Sequence, residues 1–148
     1  MSEQNVEIAR RNYELFRETW KRVKAGEELD ASPIWELWDS DAVVVEIADF
    51  PDADTYRGRE GITRWWMGWF ENFEDASIEP KDFVPFGDHV VVQTHQRFRS
   101  KMGVEVEQDI THVLTVRDGK LVYATGYRDR AKALEAVGLS ERDALPDA

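Results

Sequence analysis

The stretch from Val104 to Val116 reads VEVEQDITHVLTV, with apolar side chains at most even positions and Glu105, Glu107, Asp109, Thr111 and Thr115 at odd ones. Sustained alternation at period two predicts a long strand with one dry face. On that face the polar exceptions are Gln108 and His112. An amide and an imidazole standing where a core would take leucine are either hydrogen-bonded core groups or the lining of a pocket.

The neighbouring segments fix the register around this strand. A three-residue hairpin loop at Lys101, Met102 and Gly103, with Gly103 left-handed, sets Arg99 opposite Glu105, Arg97 opposite Glu107 and His95 opposite Asp109. Charge pairs then occupy the outer face, His95 among them. The inner face receives Thr94 beside Ile110, Gln96 beside Gln108 and Val92 beside His112. The following hairpin has two solutions. A three-residue loop at Arg117, Asp118 and Gly119 turns Val122, Ala124 and Gly126 inward, whereas a two-residue Asp-Gly loop turns Tyr123, Thr125 and Tyr127 inward. The first is preferred here, because small Ala124 and Gly126 leave empty volume beside His112.

Before the meander the sequence reads as helix. Val6, Ala9, Tyr13, Phe16 and Trp20 recur at helical spacing between about Asn5 and Lys24, with Ser2 or Asn5 available as N-cap. Pro33 opens a short helix through Ile34, Leu37 and Trp38, and Asp41 to Ala48 reads as a strand. The segment DFPDADTYRG reads as a loop ending at Gly58, where a second long helix begins, with Ile62, Trp65, Trp66, Trp69, Phe70 and Phe73 on one stripe. After the meander, Asp129 caps a last helix from Arg130 to Val137 that stops before Gly138. Helices first and a long antiparallel sheet second give an α+β domain over residues 1–148, with the tail after about 139 frayed.

Composition narrows the function. A formal charge of −11 repels phosphate backbones and anionic lipid, so neither nucleic acid nor membrane is expected as a partner. The absence of Cys excludes thiolate chemistry, and three His leave a metal centre dependent on carboxylates, so neither metal nor cofactor is expected. Asp49, Asp52 and Asp54 crowd one loop without the spacing or turn glycine of a calcium site. The N-terminus carries no apolar h-region and no later run is long enough to span a membrane, which reads as a cytoplasmic protein.

The strings VEIARRNYELF, DADTYRGREGI, GVEVEQ, THVLTVRDGKLV and YRDRAKALEAVGL, in that order, resemble the SnoaL-like polyketide-cyclase branch of the NTF2-like superfamily. The resemblance implies a curved sheet wrapped around the long helices into a cone, an apolar cavity at the open end, and a homodimer. It also implies roles by position. Tyr13 falls where the ketosteroid-isomerase branch keeps a hydrogen-bond-donating tyrosine, and Glu46 where it keeps the proton-shuttling carboxylate. His112 falls where that branch keeps a protonated acid. The positions that carry the epoxide-hydrolase machinery hold Thr94, Gln96 and Gly126 instead, so that activity is not implied.

The reading that follows is a cofactor-independent proton-transfer enzyme, an isomerase, aldol cyclase or dehydratase, acting on a hydrophobic cyclic carbonyl compound. Glu46, on the inward face with Val44, is the base, its pKa raised among aromatic rings. Tyr13 and His112 donate to the enolate oxygen. Phe16, Trp20, Val44, Trp66, Trp69, Thr94, Gln96, Phe98, Gln108, Ile110 and Gly126 line the cavity. Structural alternatives stand beside each role: Glu46 in an ion pair at the cavity mouth, Tyr13 as packing, His112 as a satisfied core residue. Two other functions compete, a non-catalytic binder of an apolar metabolite and an oligomerisation domain whose cavity is filled by Trp66, Trp69 and Phe98.

Overall fold

The computed structural model describes residues 2–49 and 53–139. The tail beyond residue 139 and Asp52 of the acidic loop lie outside the described residues. The 23-residue helix α1 (Ser2–Lys24) is followed by α2 (Ser32–Leu37), β1 (Trp38–Val45), β2 (Thr55–Arg57) and the 15-residue α3 (Gly58–Asn72). The chain then runs through the meander β3 (Phe73–Phe86), β4 (His89–Ser100), β5 (Glu105–Arg117) and β6 (Lys120–Tyr127), and ends in α4 (Arg130–Ala136). Helix α1 begins at Ser2, so Asn5 lies inside it and reaches the Gly87 carbonyl at 3.5 Å.

Six strands form one curved, unclosed sheet in the order β2-β1-β6-β5-β4-β3. The chain folds as α+β, as the order of helices and strands predicts. All neighbouring strands pair antiparallel except β1 and β6, which run parallel because the α3 and meander segments intervene between them. Register shifts in β3 after Phe73 and Pro80 and in the β5–β6 pair after Thr115 bend the sheet, as extra residues in a ladder do. Pro80 and Pro85 are tolerated since β3 is an edge strand.

The β4–β5 register follows the charge ladder, with Arg99 opposite Glu105, Arg97 opposite Glu107, His95 opposite Asp109, Gln96 opposite Gln108 and Val92 opposite His112. The β5–β6 hairpin departs from expectation. Its loop is the two-residue Asp118-Gly119 turn, both residues at positive φ (51° and 78°), which suits the right-handed twist of the flanking strands. Val116 then faces Leu121 while Thr115 faces Tyr123, so Val122 is an unmatched extra residue. That bulge undoes the one-residue slip, and Ala124 and Gly126 face Leu114 and His112 after all. Leu121, fully buried, takes the inner place assigned to Val122.

The inner face of the sheet packs on α1 and α3. Ala9, Tyr13, Phe16 and Trp20 meet Ile62, Trp66 and Phe70 over Val90, Val92, Leu114 and Val116. The indole of Trp38 donates to Asn12 Oδ1 at 3.0 Å and ties β1 to α1. The opposite face is not wet throughout. Helix α4 lays Ala133, Leu134 and Val137 over Val91 and Val113, which also buries Thr111 and Thr115. Asp129 starts that helix by accepting from the Ala131 backbone N–H at 2.9 Å. Asp129→Ala is expected to lower unfolding stability by about 1 kcal/mol, measured by urea denaturation, as the loss of a cap acceptor does.

Candidate active site

At one end of the helix-backed sheet lies a cavity of about 650 Å³, in the range of small-molecule sites. Its wall is largely aromatic: Trp65, Trp69 and Phe73 come from α3 and the start of β3, Phe98 from β4 and Tyr56 from β2. Trp69, Phe73 and Phe98 form a mutually packed trio with centroids 5.2 to 5.3 Å apart. Trp65 and Trp66 are adjacent on the helix and therefore diverge. Trp66 goes into the core, 2% exposed, and Trp65 turns to the cavity.

Glu46 stands at the rim, just after the end of β1. Its backbone N–H donates to the Asp54 carbonyl at 2.9 Å, and the next residue, Ile47, adopts φ 46°, a conformation that costs a β-branched residue appreciably. The Ala48 N–H then donates to the Gly126 carbonyl at 2.7 Å. The kink lets the Glu46 side chain leave the strand and accept a 3.1 Å hydrogen bond from the Trp65 indole. Solvent reaches it through the mouth, yet the surrounding wall raises its carboxyl pKa by desolvation; the Trp65 N–H opposes that rise and the negative charge of Asp54 reinforces it.

His112 lines the cavity from the sheet side. Its Nδ1 lies 2.7 Å from the Tyr13 hydroxyl and the two rings stack at 5.8 Å, 8° from parallel. Its Nε2 lies 3.3 Å from the Gln96 amide nitrogen, which also donates to Thr94 Oγ1 at 3.2 Å; Thr94 in turn donates to the Ile110 carbonyl at 2.7 Å. With the amide nitrogen toward the ring, Thr94 Oγ1 and His112 Nε2 both accept from it, the ring proton sits on Nδ1 and Tyr13 accepts it; turning the amide over, so that Nε2 carries the proton and Tyr13 donates to Nδ1, requires Thr94 to redirect its hydroxyl from Ile110 to Gln96 Oε1. Desolvation lowers the His112 pKa to about 4 and holds the Tyr13 phenol well above its ordinary value. The imidazole is therefore neutral at pH 7 in both arrangements.

Gly126 closes the floor. A Cβ there would stand 2.9 Å from Ile110 Cγ2 and 3.3 Å from His112 Cδ2, so only glycine lets β6 approach the imidazole this closely.

Among the residues singled out from sequence, Glu46, His112, Trp69, Gln96, Phe98, Gln108, Ile110 and Gly126 share the cavity wall. Tyr13 stands behind His112 and outside that wall. Phe16, Trp20, Val44 and Trp66 are packed into the core, and Thr94 is fully buried beneath Gln96. The sequence does not single out Tyr56 or Asn72, offers Asp54 only as a member of the acidic loop, and places Trp65 on the packing stripe without a partner. The phase of Trp65 one residue before Trp66 was the available signal. Among the described residues no group of His, Asp or Glu could hold a metal ion.

A helix-backed, curved sheet with an open aromatic cavity at its end defines the NTF2-like class. The SnoaL-like domain model matches residues 13–124, and the chain belongs to that family. No functionally curated protein matches the sequence at a significant level. Solved structures resemble it at the level of fold. TerC, crystallised with polyporic acid, is 23% identical with TM-score 0.68, covering 90% of this chain and 97% of its own. A SnoaL-like polyketide cyclase described as putative, from Jannaschia sp. CCS1, is 21% identical with TM-score 0.66, covering 98% and 95%. A protein with a ketosteroid isomerase-like fold from Catenulispora acidiphila DSM 44928, in complex with trimethylamine, is 18% identical with TM-score 0.59, covering 86% and 95%. No helix among the described residues is long and apolar enough to cross a membrane.

The depressed His112 pKa sets a pH dependence. Between pH 6.5 and about 4 the unfolded chain holds a proton on this imidazole that the folded chain does not, so stability falls as pH falls. The contribution is complete above pH 6.5 and gone below about 4, and the gap between those values corresponds to about 3 kcal/mol. Urea denaturation of wild type and His112→Asn at pH 7 and pH 4 is expected to show a steeper loss in wild type by that order; parallel losses would place the imidazole in water.

Proposed function

We propose that the protein is a cofactor-independent proton-transfer enzyme that enolises a hydrophobic cyclic carbonyl compound, as an isomerase, an aldol-type cyclase or a dehydratase does. The observation that carries this reading is the meeting of Glu46 and a neutral His112 on the wall of one aromatic cavity. Glu46 takes the proton alpha to the carbonyl. The C–H electron pair forms the enolate C=C bond as the carbonyl π pair moves to oxygen, and the oxyanion takes the place of Gln96 at His112 Nε2, receiving its hydrogen bond in the tautomer in which Tyr13 donates to Nδ1. Tyr13 is thus a positioning residue; its hydroxyl is engaged 2.7 Å from the ring and outside the cavity wall. A carboxyl with a raised pKa suits the task, because the base must also return the proton at another carbon. Family membership supports the reading, since SnoaL-like proteins include cyclases and isomerases.

The family also includes non-catalytic members, and the full space-filling expected of a pure oligomerisation domain does not occur: Trp66 sits in the core while Trp69 and Phe98 leave about 650 Å³ open. A binder and an enzyme are separated by following deuterium uptake at the alpha carbon of 2-tetralone in heavy water by NMR. Wild type is expected to accelerate exchange, and Glu46→Gln to lose at least about a hundredfold while keeping ligand affinity. Absence of exchange across a panel of bicyclic ketones, with saturable binding, would leave the binder.

The pH profile gives a second measurement. Exchange requires ionised Glu46, so its rate rises with pH through a midpoint above the ordinary glutamate range. Trp65→Phe removes the N–H that opposes this rise, and the acidic limb is expected to move to still higher pH. An unmoved limb would show that Glu46 is not the titrating base.

A further inference from the structure

The cavity wall has an electrostatic asymmetry. Its ionisable groups at neutral pH are the carboxylates of Glu46 and Asp54, and no Lys or Arg is among the described residues that line it. His112 contributes no positive charge, being neutral above about pH 4. Gln96, Gln108 and Asn72 are uncharged amides. The two carboxylates share a locality: the Glu46 backbone is bonded to that of Asp54, and the Tyr56 phenol is raised by burial first and then by the negative charge of both, with the Arg64 charge opposing. Around them stand the faces of Tyr56, Trp65 and Trp69. Tyr56 already receives a cation on its ring, with the Arg64 guanidinium 5.5 Å from the centroid, although Arg64 is not part of the cavity wall.

Aromatic faces attract cations through their quadrupole, and two carboxylates that form no ion pair among the described residues add a Coulomb field at the mouth. The chain's charge of −11 deepens the same potential. We propose that the cavity takes a ligand carrying a protonated amine on a hydrophobic ring system, the ammonium lodging at the mouth beside Asp54 and Glu46 and the rings lying against Trp69, Phe73 and Phe98. This names the substrate class of the proton-transfer site and rests on that reading for its chemistry. The same field disfavours anionic carbonyl compounds.

The test needs no turnover. Protonated 2-aminotetralin, neutral 2-tetralone and tetralin-2-carboxylate share one bicycle and differ in charge. Their binding at pH 7 is read from quenching of tryptophan fluorescence and checked by calorimetry. The amine is expected to bind about tenfold tighter than the ketone, with the carboxylate weakest. Asp54→Asn and Glu46→Gln should each narrow the gap and together close it, with circular dichroism confirming that both variants are folded. Equal or tighter binding of the carboxylate overturns the assignment, as does an amine preference that survives in the double variant. Failure of alpha-proton exchange with this preference intact removes the catalytic reading alone.

Discussion

One unmatched residue in β6 determines what the rest of the site can be. The Asp118-Gly119 turn pairs Arg117 with Lys120, and a ladder continued from there without interruption would set Tyr123, Thr125 and Tyr127 toward the helices. Three large or polar side chains would then occupy the space in front of β5. The extra residue at Val122 reverses the phase, so the inner positions become Ala124 and Gly126, and the sheet acquires local bend and twist at the same point. Gly126 alone permits the approach to Ile110 and His112, and its carbonyl anchors Ala48 of the rim. Cavity volume, imidazole position and the tether of the Glu46 segment thus descend from one register shift.

The volume so created could have been filled by apolar side chains; it is bordered by a polar relay instead. Burying Thr94, Gln96, His112 and Tyr13 is costly unless each finds a partner, and the relay supplies one at every link. Desolvation then acts on two groups in opposite senses of charge and to the same end: the phenol stays protonated and the imidazole stays unprotonated. A relay of neutral groups has no net charge to desolvate, which is why it sits among Ile110, Val92 and Phe83 without an ion pair. The outer face handles its charges differently. His95, between Asp109 and Glu107 at 2.7 Å each, is solvated and held positive to higher pH by those two hydrogen bonds.

Much of this was legible from residue order because the sheet signals were strong. Alternation with opposite charges at matched positions left one register for β4 and β5, and the resemblance to SnoaL-like proteins supplied the cone. Where several weak determinants competed, reading failed. The turn chemistry of Asp118-Gly119 and the small inner residues of β6 demand opposite phases, and only a bulge satisfies both; no local string announces it. Strand β2 is three residues in a Pro- and Asp-rich stretch, and it exists because β1 offers an edge. Trp38 reads as the end of α2, yet it begins β1, where it pairs with Leu121 and its indole donates to Asn12. The Tyr13 hydroxyl had two candidate partners, a ligand or a ring 99 positions away, and nothing in helical spacing distinguishes them.

Neutrality of His112 also constrains the chemistry under the proposed reaction. An imidazole with a pKa of about 4 does not deliver a proton to a departing hydroxide at neutral pH, and Tyr13, with its phenol pKa raised, is a still weaker acid. Expulsion of water therefore lacks a strong general acid on the sheet side of the cavity. Moving a proton from one carbon to another needs none: the carboxyl of Glu46 removes it, holds it and returns it, while the oxyanion is stabilised by a hydrogen bond that never becomes a transfer. Within the proposed class, the geometry thus favours isomerisation or enolate-driven ring closure over dehydration. The Trp65 indole fits the same logic. Its N–H opposes the desolvation that raises the Glu46 pKa, so the carboxyl ionises more readily than burial alone would allow while remaining a stronger base than an ordinary glutamate.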